Sequence, residues 1–115
     1  MARPPKLEGR IPTVRADWQW SGSWWVEIDA LLTGAWRLPK QDRLALLMVN
    51  VSEKPVTATL ALNGKTYGLP GENLRVTRWT PDGPGDSFVT PSVFRRDLNF
   101  PPREAWAWEL TPEKD

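Results

Sequence analysis

Apolar and polar residues alternate with a period of two along much of the chain. In VTATLAL, residues 56–62, Val56, Ala58, Leu60 and Leu62 fall on one side and Thr57, Thr59 and Ala61 on the other. LRVTRW, 74–79, sets Leu74, Val76 and Arg78 against Arg75, Thr77 and Trp79. In REAWAWEL, 103–110, Trp106, Trp108 and Leu110 lie opposite Ala105, Ala107 and Glu109. Period two is the mark of a strand with one buried face. RLALLMVNV, 43–51, is the most apolar segment and predicts a central strand, being short for a helix and holding the β-favouring Val49 and Val51.

WWVEIDALLTGAWR, from Trp24 to Arg37, predicts one long strand. Trp24, Val26, Ile28, Ala30 and Leu32 take one face, and Trp25, Glu27, Asp29 and Leu31 the other. A helix is the alternative for VEIDALL, since Glu, Ala and Leu favour one. Gly34 marks a bulge or a close backbone approach. ADWQWS, 16–21, puts Trp18 and Trp20 on one side of a further strand. KTYGL reads as a short strand after the Asn63-Gly64 turn, TPDGPGDS as a loop, and FVTPSVFRRDLNF as one or two strands interrupted by Pro91. Pro4, Pro5 and Pro12 make residues 1–17 an extended lead-in or linker and leave 18–115 as the domain. About eight short strands, with turn signals about every 8 to 12 residues, predict an all-β antiparallel β-sandwich, immunoglobulin-like or similar in topology. Its expected core is Val26, Ile28, Leu44, Leu46, Met48, Val56, Leu60, Val76, Leu98, Trp108 and Leu110.

Composition narrows the chemistry. The 115 residues suffice for one domain and contain neither cysteine nor histidine. Thiolate chemistry is thereby excluded, along with the commonest general base and metal ligand. We therefore expect no cofactor, no metal and no catalytic residue. Fifteen basic and 14 acidic residues leave a net charge of +1, which gives no footprint for nucleic acid or an anionic membrane. No apolar run approaches the roughly 20 residues of a membrane span. The opening MARPPKLEGRIP lacks the pattern of a secretory signal, and the compartment stays unassigned.

Four local patterns bear on function. Glu27 and Asp29 stand about 7 Å apart along a strand, a spacing open to a glycosidase dyad but usual for a solvated polar face. Asp82 and Asp86 in the loop DGPGD can offer oxygens to calcium, but Pro-Asp-Gly is turn chemistry in its own right. Asn50-Val51-Ser52 matches a glycosylation sequon, yet its place at the end of the central strand points to a structural role. Arg95 and Arg96 beside Phe94 and Phe100 suggest base stacking next to cations. The plainer reading is a strand with one solvated and one paired arginine.

The order of segments resembles a known arrangement. TGAWRLP, RLALLMVNVSEKPVTATLAL, LRVTRWTPDG and LNFPPREAWAWEL follow one another, with Asn50-Val51-Ser52-Glu53-Lys54-Pro55-Val56-Thr57 and Pro101-Pro102-Arg103-Glu104-Ala105 as runs that encode a sandwich hairpin and a last strand rather than a site. Over roughly residues 26–112 the chain resembles the small β-sandwich that closes many bacterial, TIM-barrel, glycosidase-like proteins. The resemblance implies a carbohydrate context. It carries no catalytic residue, because in such enzymes the acid and base sit on the barrel.

The chain departs from that arrangement in its eight tryptophans. Trp36, Trp106 and Trp108 are expected in the core or at its edge, and Trp79 on either side. Trp18, Trp20, Trp24 and Trp25 crowd into ADWQWSGSWW, and adjacent Trp24 and Trp25 point to opposite faces of a strand. At least one must then meet solvent or a partner. Indole offers a wide, rigid platform to the apolar face of a pyranose ring. Trp18, Trp20, Trp24 and Trp25, with Asp17 and Gln19 as hydrogen-bonding neighbours, are the candidate ligand-binding residues for a polysaccharide or oligosaccharide. The expected function is a non-catalytic accessory module of carbohydrate metabolism. The alternative is a structural domain that binds no sugar and packs on the catalytic domain of a longer parent, or on itself. The expected state is a monomer or weak homodimer.

Overall fold

A computed structural model of the chain describes residues 3–17 and 25–113, with all side chains there but those of residues 6, 15–17, 25–27 and 39. Ten strands follow one another: β1 (Lys6–Glu8), β2 (Thr13–Asp17), β3 (Trp25–Asp29), β4 (Leu31–Leu38), β5 (Arg43–Asn50), β6 (Val56–Asn63), β7 (Asn73–Thr80), β8 (Gly83–Pro91), β9 (Val93–Phe100) and β10 (Ala105–Pro112). Every pairing among them is antiparallel. A five-stranded sheet in the order β4-β5-β10-β7-β8 faces a three-stranded sheet, β1-β6-β9, and β2 and β3 form a separate ribbon. The chain is thus an all-β antiparallel sandwich.

The alternating runs supply its core. Leu44, Leu46 and Met48 of β5, Leu74 and Val76 of β7, and Trp108 and Leu110 of β10 line the large sheet's inner face. Val56, Ala58, Leu60 and Leu62 of β6 meet them with Phe94, Leu98 and Phe100 of β9. Phe100 of the small sheet lies 4.6 Å from Trp106 of the large one, and within the large sheet Phe88 meets Trp108 edge-on at 5.8 Å, a geometry aromatic pairs prefer. Of the expected core, Ile28 is only partly buried, and the side chain of Val26 lies outside the described residues.

Four elements differ from their expectation. The run expected as one strand from Trp24 to Arg37 is two strands in different sheets, parted at Ala30. Ala30 and Leu31 are both buried where strict alternation would bury one of them. The Ala30 amide donates to Pro12 and its carbonyl accepts from Val51, so the chain changes sheets without losing backbone bonds. KTYGL is not a strand: Gly64–Tyr67 is a 3-10 turn, capped by the Asn63 side chain accepting from the Lys65 amide. The loop expected at 80–87 is a tight turn at Pro81-Asp82, after which β8 already runs from Gly83. Within the lead-in, β1 pairs with β6, Leu7 packs against the core and Pro5 is buried.

Candidate functional site

The outer faces of the two sheets differ. On the small sheet, Thr57 faces Asn99 and Thr59 faces Asp97, with hydrogen bonds of 3.4 and 2.6 Å between the side chains. That is the usual polar exterior of an antiparallel sheet. The large sheet departs from it. Its outward positions include Leu32, Gly34 and Trp36 on β4, Ala45, Leu47 and Val49 on β5, Ala105 and Ala107 on β10, and Trp79 on β7. These positions form a contiguous apolar face, unlike the polar exterior of the small sheet.

Trp36 and Trp79 frame the face. They are 41% and 43% exposed, a large fraction for residues usually well buried. The six-membered ring of Trp36 lies over Gly34, so close that a Cβ on that glycine would come within 2.8 Å of it. Gly34 therefore marks a close approach, by a ring rather than a backbone. Gly34, Leu47, Ala107 and Trp79 stand opposite one another in register across β4, β5, β10 and β7. Three strand spacings make this row about 14 Å long. Two indoles thus stand at the ends of one row. Ala45 and Ala107 keep the floor between them low, and the result is a shallow groove of about 450 Å³.

Polar groups border the groove. Glu109 lines it and faces the Arg43 guanidinium at 3.7 Å. Further along the same face, Arg75 grips Glu113 through two hydrogen bonds of 2.8 Å. Those bonds hold the Glu113 carboxyl below its ordinary range and raise the Arg75 guanidinium. Two apolar platforms with a carboxylate and a guanidinium beside them can stack on sugar rings and hydrogen-bond their hydroxyls.

Trp18, Gln19, Trp20 and Trp24 lie outside the described residues. Asp17 and Trp25 face each other at the end of the β2–β3 ladder, their side chains being among those not described. Of the tryptophans expected in the core or at its edge, Trp108 is buried and Trp106 partly buried, while Trp36 is exposed. Trp36 points outward because the change of sheet at Ala30 resets the alternation behind it.

Asn50, Arg95 and Arg96 have structural partners. Asn50 is fully buried, and its Nδ2 donates to the carbonyls of Lys54, Phe100 and Pro101 at 2.9–3.1 Å. Its Oδ1 accepts from the Ser52 amide and hydroxyl. Arg95 pairs with Glu8, and Arg96 stacks over Phe88 at 4.1 Å, while Phe94 and Phe100 are buried. At the β7–β8 turn the Thr80 hydroxyl accepts from the Asp82 amide and donates to the Gly83 carbonyl. Among the described residues no group of three or more acidic side chains is placed to hold a metal. Asp29 is exposed, and the Glu27 side chain is among those not described. No protein-family model, curated protein or solved structure matches the chain.

Proposed function

We propose that this domain is a non-catalytic accessory module that binds a glycan through exposed tryptophans, and that Trp36 and Trp79 are the pair that carries the contact. The single observation behind this reading is the row Gly34–Leu47–Ala107–Trp79, with an indole at each end and Leu47 and Ala107 between them. A glycan chain running across the strands would stack one sugar on each ring and pass over Leu47 and Ala107. Glu109 and Arg43 at the border would bond its hydroxyls. Affinity electrophoresis through gels cast with β-glucan, xylan, mannan and acidic polysaccharides tests it. Retardation by at least one polymer is expected, with an affinity loss of about tenfold or more in Trp36→Ala and in Trp79→Ala.

One observation favours a second reading. Leu32 and Leu47 are exposed on the same face, and aliphatic side chains suit a protein surface better than a sugar. On that reading the face docks on a catalytic domain of a longer parent or on a second copy of the chain. Sedimentation at micromolar concentration separates self-association from the glycan platform. The platform predicts a monomer whose mass is unchanged by Leu47→Asp, and a dimer broken by that substitution would favour docking.

A further inference from the structure

The groove continues past Trp79 into a second recess. β7 and β10 pair as far as Ala107 opposite Trp79 and then separate. The β7–β8 ladder slips between Thr77 and Trp79, a bulge of the kind that bends a strand and re-aims its side chains. The opening of about 420 Å³ is lined from both sides of the sheet, by Trp79 and Ala107 outward and by Arg78, Trp106 and Trp108 inward. Trp79, Ala107 and Trp108 line both depressions, so the two are continuous.

Arg78 is the charged group inside. Its guanidinium carbon lies 5.6 Å from the centroid of Trp108 and 5.8 Å from that of Phe88. Stacking engages a guanidinium through its face and leaves the N–H donors in its plane. The Arg78 Nε is buried without a hydrogen-bond partner. Arg37, Arg43, Arg75, Arg95 and Arg103 each pair with a carboxylate, and Arg78 is joined to none among the described residues. Arg96 stacks on the same Phe88 ring at 4.1 Å and is not ion-paired among the described residues either. Glu104 also lines the recess, and its carboxylate accepts from the Trp106 Nε1 at 2.8 Å.

We propose that this recess receives a carboxylate, and that the glycan taken by the Trp36–Trp79 platform is an acidic one bearing uronic acid units. This inference rests on the glycan reading above and adds the ligand's charge class. A polymer stacked on Trp79 brings its next unit to the mouth of the recess. There a planar carboxylate can accept from the in-plane donors of Arg78, a match that a neutral hydroxymethyl group does not make.

The test compares glucuronoxylan and polygalacturonate with the same polymers after chemical reduction of their carboxyl groups. Calorimetry should show at least one native polymer binding tenfold or more tightly than its reduced form. Arg78→Met, which keeps an apolar stem against Trp108, should erase that difference and leave the weaker binding in place. Arg78→Lys should keep part of it. Equal affinity of the wild-type domain for native and reduced polymers, still sensitive to Trp36→Ala, would overturn the acidic preference and leave the platform standing. A preference that survives in Arg78→Met would overturn the role of Arg78. No binding to any polymer, neutral or acidic, would overturn the platform itself. The wild-type comparison needs no variant to fold.

Discussion

Asn50 shows how much one side chain can hold. It sits where β5 ends, and it bonds the chain at Ser52 and Lys54 as well as the Phe100-Pro101 segment between β9 and β10. Removing it leaves buried carbonyls without donors. We predict that Asn50→Ala destabilises the fold by about 3 kcal/mol, whereas Asn99→Ala on the exposed face changes it by less than about 0.5 kcal/mol; denaturant unfolding measures both. Asn-Val-Ser already reads as structural from its position, but its partners fifty residues away do not. Gly34 is the complementary case. A methyl there collides with the far end of a side chain, not with backbone. Gly34→Ala should leave stability unchanged or raise it by up to about 1 kcal/mol. The displaced Trp36 ring should weaken glycan binding by a factor of roughly three to ten, or about 0.6–1.4 kcal/mol. An unaltered affinity would remove Trp36 from the platform.

At the scale of elements, alternation was readable wherever a strand stays in one sheet. Val56, Ala58, Leu60 and Leu62 are all buried, as their period requires, and β5 is flanked on both sides, as its apolar run requires. Alternation separates two faces but does not say which face meets solvent, and it loses phase where a chain changes sheets. The break at Ala30 is such a place, since no glycine or proline marks it. That lost phase put Trp36 among core candidates. Prolines predict an extended course before the domain, but the partner that makes a strand of Lys6–Glu8 is fifty residues distant. One clasp between elements can be tested by pH. Glu113, following β10, is hydrogen-bonded to Arg75 of β7, and its folded pKa is depressed below the ordinary carboxylate value. The stabilisation is complete above about pH 4.3 and is lost as pH falls through the depressed value. We predict that Glu113→Gln lowers the Tm at pH 7 and that the difference from wild type shrinks as pH falls below the ordinary carboxylate range. A difference that persists at low pH would show that the clasp is not ionic.

The whole molecule is a sandwich with unlike exteriors. The small sheet carries threonines, an asparagine and charges outward, and the large sheet carries two tryptophans, leucines and alanines. Burial alone does not explain that asymmetry, because both inner faces are already filled from the same core. Nor does the order of residues reveal it. Trp36 and Trp79 lie 43 positions apart in sequence and come onto one face only because β5 and β10 set β4 and β7 side by side with them in the same sheet. ADWQWSGSWW is the conspicuous cluster in the sequence, whereas Trp36 and Trp79 become a pair only in the fold. The most direct test resolves the tryptophans one by one. Each of the eight indoles has an N–H that reports separately in a ¹⁵N-correlated NMR spectrum once assigned by substitution. On titration with the oligosaccharides of any polymer that retards the domain, the Trp36 and Trp79 signals should shift together and saturate. Saturating shifts confined to Trp18, Trp20, Trp24 and Trp25, with Trp36 and Trp79 unmoved, would contradict the account.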